Sequence, residues 1–94
     1  MIELEQYFKG QKNWEEFSDN FNDVWVNSDL QKSLLSELEN RIDLAKVIYY
    51  NIGETSIDWL NKKVPALDNL TPLECLKTEK TTNRLKECLM RMPQ

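Results

Sequence analysis

The chain has 94 residues, 40% of them hydrophobic, with a net charge of −4, two cysteines and no histidine. That length suits one small domain whose burial is marginal unless subunits share a core, so a homodimer is expected. With only Cys75 and Cys88, no histidine and no glycine-rich phosphate loop after a strand, zinc-type ligand sets, disulfide frameworks and the usual acid–base and nucleotide constellations are missing. No catalytic residue, metal ligand or cofactor is therefore expected, and both cysteines read as small hydrophobes packed inside.

The first segment carries Ile2, Leu4, Tyr7 and Phe8 and ends at Gly10, which predicts a short helix or a docking arm. Trp14, Phe17, Phe21, Val24 and Trp25 follow at helical spacing, with Glu15, Glu16, Asp19, Asn20 and Asp23 on the other side, the pattern of an amphipathic helix whose aromatic stripe faces a core. Asn27-Ser28-Asp29 supplies cap-type residues for the next segment. There, Leu35, Leu38, Ile42, Ala45, Tyr49 and Ile52 recur at steps of three and four, and Leu34, Leu44, Val47 and Ile48 widen the apolar surface, which predicts a long central helix over 35–52 buried on more than one side.

Gly53 is placed to stop that helix with a left-handed residue, and Thr55 or Ser56 to cap a short one carrying Ile57, Trp59 and Leu60. Pro65 cannot continue a helix interior and Asp68-Asn69 is a turn-forming pair, so the chain should reverse here. Thr71-Pro72-Leu73-Glu74 then sets a hydroxyl at N-cap, proline at N1 and a carboxylate at N3, the signature of a capped helix start. Replacing Thr71 by Ala should cost on the order of 1 kcal/mol. Thr78 opens a last helix with Leu85, Cys88, Leu89 and Met92 as its apolar stripe. No stretch alternates with period two long enough to demand a strand. The fold class expected is all-α, a small helical bundle with a long central helix and several short ones.

Charge is divided along the chain. Residues 1–61 hold five Lys/Arg against twelve Asp/Glu, and residues 62–94 seven against four. The basic set, Lys62, Lys63, Lys77, Lys80, Arg84, Lys86 and Arg91, can face an acidic partner, neutralise the acidic half of a second subunit or simply be solvated. No apolar run approaches the ~20 residues of a membrane span, and the opening Met1-Ile2-Glu3-Leu4-Glu5 is acidic where a secretory signal is basic, so a cytoplasmic protein that does not enter membranes is expected.

The stretch Asp58–Leu76, D-W-L-N-K-K-V-P-A-L-D-N-L-T-P-L-E-C-L, resembles the toxin-binding domain of the Xre/MbcA/ParS antitoxins of bacterial type II toxin–antitoxin systems. The matching residues are Leu35 to Ile52, Ile57 with Trp59-Leu60, Pro65 with Leu67, Thr71-Pro72-Leu73-Glu74 with Leu76, Thr78-Glu79, and Leu85 with Leu89. Where that family often has Gly-Gly this chain has Asp68-Asn69, which tolerate left-handed backbone better than other non-glycine residues. A glycine that often follows the family's Thr-Glu is replaced by Lys80-Thr81.

The resemblance implies two parts, an acidic aromatic helical extension over 1–29 and a toxin-binding-like helical domain over 30–94. It also implies an antitoxin-like protein that binds a cognate toxin, often RES-type with an ADP-ribosyltransferase-like fold acting on NAD, and neutralises it by occluding the active site. On that likeness Arg84, Glu87, Arg91, Met92 and Pro93 are partner-contact candidates. Trp59, Leu60, Pro65, Leu67, Leu70, Thr71, Pro72, Leu73, Glu74 and Leu76 are fold-defining, and Trp59→Ala should cost ~3–5 kcal/mol if that ring is buried. Relatives commonly carry a helix-turn-helix domain; here residues 1–29 are acidic and would repel phosphate, so direct DNA binding is not expected. With the sequence ending at Gln94, no long inhibitory tail is expected. The alternative reading is a non-catalytic homodimeric interaction module with no toxin partner.

Overall fold

The computed structural model describes residues 4–92. Among them the regular structure is helical: α1 (Gln11–Asp19), α2 (Asp29–Glu37), α3 (Ile42–Ile52), α4 (Ser56–Leu60), α5 (Pro72–Cys75) and α6 (Glu79–Arg91), joined in part by 3-10 turns. A lone antiparallel bridge between Val64 and Leu70 is the only strand-like pairing in these residues. The chain is the all-α bundle its periodicity predicts.

The long central helical run is present, but its bounds differ from those expected. Leu35–Ile52 is not one helix: Leu38 ends α2, and Glu39 and Asn40 take left-handed backbone with φ of 57° and 65°. Asparagine accepts that region readily, and the reversal lets Leu34 and Leu38 of α2 and Leu44, Ala45, Val47 and Ile48 of α3 converge on one core. Ile42, in register with Leu38 on a continuous helix, is instead 42% exposed. α3 ends at Ile52, stopped as expected by Gly53 at φ 78° and ψ −138°, and a 3-10 turn over Gly53–Thr55 leads directly into α4. Ser56 Oγ donates to the Gly53 carbonyl at 2.5 Å, and Thr55 at the N-cap of α4 makes no capping bond.

The capped starts form as read. Thr71 Oγ1 accepts the Glu74 backbone N–H at 3.1 Å and Glu74 Oε1 accepts that of Thr71 at 2.9 Å, a reciprocal capping box with Pro72 in the first turn. Thr78 caps α6 by accepting the Thr81 N–H at 3.1 Å. Ser28 caps α2 in a second box with Gln31, whose buried amide also accepts from Val26 N at 2.8 Å and donates to the Val24 carbonyl at 3.0 Å. Asp68 and Asn69 are left-handed at φ 61° and 62°, closing the Val64–Leu70 loop with a Val64 N to Leu70 O bond of 3.0 Å.

One buried cluster runs through the described residues. Trp14 and Phe21 of the acidic front sit in it beside Leu60, Leu67, Cys75, Leu85 and Leu89. Each such fully buried large side chain contributes roughly 1.5–3 kcal/mol. Within the motif, Leu60, Leu67 and Pro72 are buried, Leu70, Leu73 and Leu76 pack at the margin, and Pro65 and Glu74 are exposed. Trp59 lies at the margin with one side toward water, so the inward residue of the Trp-Leu pair is the leucine. Cys75 and Cys88 are buried free thiols; desolvation pushes Cys75 up to about 11 and Cys88 upward as well. No helix among the described residues is long and apolar enough to cross a membrane.

Candidate partner-binding surface

Helix α6 is the element against which much of the chain is arranged. Leu85, Cys88 and Leu89 turn into the core, as their three- and four-residue spacing requires. Arg84, Glu87 and Arg91 share another line of the helix by the same arithmetic. The 3-10 turn Leu4–Tyr7 packs along α6 more extensively than any other two elements pack together.

The contact is ionic and aromatic. Arg84 Nε donates to Glu5 Oε1 at 2.7 Å and Arg84 Nη2 to Glu5 Oε2 at 3.1 Å, the forked geometry that suits guanidinium to carboxylate. Lys80 Nζ stands 3.8 Å from the same carboxylate. Arg84 Nη1 reaches the Leu67 carbonyl at 3.4 Å, which ties the fold-defining loop to this site. Two turns further, Arg91 Nε donates to Glu87 Oε2 at 2.7 Å while its guanidinium carbon lies 4.7 Å from the Tyr7 ring centroid.

The partner-contact candidates are therefore divided. Arg84 and Glu87 are 6% and 8% exposed, the first held by Glu5 and the second by Arg91. Arg91 is exposed and Met92 half-buried against the core. Pro93 lies outside the described residues. The spacing of these residues on one helix was readable; the segment covering them was not, since Glu5 and Arg84 stand 79 positions apart. Sequence reasoning names Tyr7 in a docking arm and Lys80 in the basic set, but misses Glu5 and the contacts that join the arm to α6. The one signal for them was the acidic front set against a basic end, and in the structure that charge is matched within a single chain.

Two clefts flank α6. One, about 340 Å³, is lined by Tyr7, Lys9, Asn13, Glu87, Met90 and Arg91, directly beside the covered face. The other, about 540 Å³, lies at the start of α6 and includes Gln11, Arg41, Asp43, Lys77, Thr78 and Lys86. In its wall the Lys86 amine donates to Gln11 Oε1 at 2.7 Å and lies 5.7 Å from the Trp14 ring centroid and 5.8 Å from that of Phe8. Trp14 Nε1 donates to Asp43 Oδ2 at 2.8 Å, joining α1 to the first turn of α3. Burial lowers the Lys86 pKa, partly offset by Asp43 and reinforced by Arg41.

Among the described residues no group of three or more cysteines and carboxylates is placed to hold a metal ion. Comparison with protein-family models, with curated proteins and with solved structures found no match.

Proposed function

We propose that this chain is an antitoxin-like protein that binds a cognate toxin through the α6 end of the bundle and neutralises it by steric occlusion of the toxin's active site, with no catalysis of its own. The toxin would be RES-type, ADP-ribosyltransferase-like and NAD-directed, and the complex cytoplasmic. The reading rests first on the resemblance of the Asp58–Leu76 stretch to the toxin-binding domain. The observation that carries it is the geometry of that stretch: a helix ending in Trp59-Leu60, a left-handed Asp68-Asn69 turn and the Thr71–Glu74 capping box, packed directly onto α6 through Leu67.

The test is co-expression of the full chain with the product of the adjacent open reading frame. Growth rescue and co-purification of the two are expected if that product is toxic. A stable homodimer with no toxic neighbour and no co-purifying protein would overturn the proposal and favour a self-assembling interaction module.

A further inference from the structure

The segment seated on α6 describes what that face accepts. Over five residues, Leu4 to Phe8, it offers a carboxylate to Arg84 and Lys80, a tyrosine ring to Arg91 and a phenylalanine ring near Lys86. The four cations recur along one helix, and each meets a group of the chemistry that suits it. This cover is held by ion pairing and ring contact together with Leu4 and Phe8, which pack at the edge of the core. Tyr7 remains 46% exposed, with the 340 Å³ cleft open beside it. The turn is joined to α1 through Gly10 at φ 112°, a position with nothing within 4 Å of where a Cβ would stand. The path of the turn relative to α1 is thus set at the glycine N-cap of that helix, the residue type with the widest choice of backbone angles.

We infer that the α6 face spanning Lys80, Arg84 and Arg91 is a docking groove for a short acidic–aromatic peptide segment, a glutamate or aspartate followed within one turn by aromatic rings, and that the chain's own Leu4–Phe8 is a replaceable occupant. A partner gains the groove by presenting the same chemistry in trans. Its arrival frees the Leu4–Tyr7 turn and opens Arg84, so the groove extends into the cleft lined by Met90 and Arg91. The inference goes beyond toxin neutralisation and stands without it, since it concerns what α6 accepts whichever protein supplies it.

The test uses a fluorescently labelled peptide of residues 1–10 and the full chain, with binding read by fluorescence anisotropy. A tethered segment competes at an effective concentration near millimolar, so Glu5→Gln should bind the peptide about tenfold more tightly than the unaltered chain. Binding should weaken as salt rises, and adding Arg84→Met to Glu5→Gln should abolish it. Peptides with Gln in place of the glutamates, or Ala in place of both aromatics, should not compete. Circular dichroism reports whether the Glu5→Gln chain is folded; if it is not, Tyr7→Ala replaces it, because that ring is half exposed and its removal unpairs no buried charge. A folded Glu5→Gln or Tyr7→Ala chain that fails to bind the peptide would overturn the inference. So would equal binding of the Gln-substituted peptide, which would mean apolar adhesion with no recognition of the carboxylate, or of the Ala-substituted peptide, which would mean charge attraction with no recognition of the rings.

Discussion

Arg84→Met separates a structural arginine from a surface one. The Arg84 and Glu5 side chains are 7% and 9% exposed and meet through two N–H to oxygen contacts. Methionine fills most of the stem volume but leaves the Glu5 carboxylate in a desolvated site, and removing one partner of such a pair commonly costs 3–5 kcal/mol, chiefly as an uncompensated buried charge. Two features moderate that figure here. Lys80 stands 3.8 Å from the carboxylate, and if the turn carrying Glu5 detaches, as inferred above, the carboxylate returns to water and the loss is limited to the free energy of detachment. The expected cost is about 2–4 kcal/mol, a fall in Tm of roughly 10–25 °C for a domain of this size. Urea denaturation followed by tryptophan fluorescence and circular dichroism measures it. In a double-mutant cycle with Glu5→Gln the two losses should fall short of additivity by at least ~1.5 kcal/mol. An Arg84→Met chain within ~0.5 kcal/mol of the parent, the range of an ordinary surface substitution, would refute the reasoning and return Arg84 to the exposed surface.

The Trp59-Leu60 pair should invert the usual ranking by size: Leu60→Ala, at a site with no solvent exposure, should cost about 2–5 kcal/mol, and Trp59→Ala, at the margin, visibly less in the same urea titration; equal losses would contradict the placement of the ring. The Glu74 carboxyl is held below its ordinary value of 4.5, first by the Thr71 backbone N–H and then by the Thr71 side chain. A lowered folded-state pKa means a contribution present above the unfolded value and lost as pH falls through the folded one, so an NMR titration should show Glu74 below 4.5 and Thr71→Ala should move it back toward that value. For Lys86, desolvation lowers the pKa from 10.5; the charged amine is then a liability of the folded state that is relieved as pH rises through its folded pKa toward 10.5. Urea midpoints should accordingly climb more steeply with pH in the alkaline range just below 10.5 for the parent chain than for Lys86→Met, and parallel curves would sink that account.

Local chemistry was legible residue by residue. The Thr71 capping box, the Ser28 and Thr78 caps and the left-handed Asp68-Asn69 pair are formed by atoms within a few positions of one another, so their geometry follows from the residue types present. Helical periodicity also identified most of the core, including Trp14, Phe21, Leu85 and Leu89. It misplaced the central helix because Leu38 and Ile42 keep the step of four across a break. The period records which residues are apolar, whereas the Glu39-Asn40 reversal separates a buried leucine from an exposed isoleucine.

What the sequence by itself determined is the helical class and the turn chemistry, consequences of short-range sterics and a 3.6-residue repeat; Arg84, Glu87 and Arg91 became candidates through the family resemblance alone. Tertiary structure alone decided that Arg84 and Glu87 are enclosed, that Lys86 lies near two aromatic rings, and that the acidic opening of the chain covers its basic last helix. Those outcomes depend on which of many distant oppositely charged and apolar groups meet. Long-range pairing is selected by the shape of the assembled core, and no spacing along the chain encodes it.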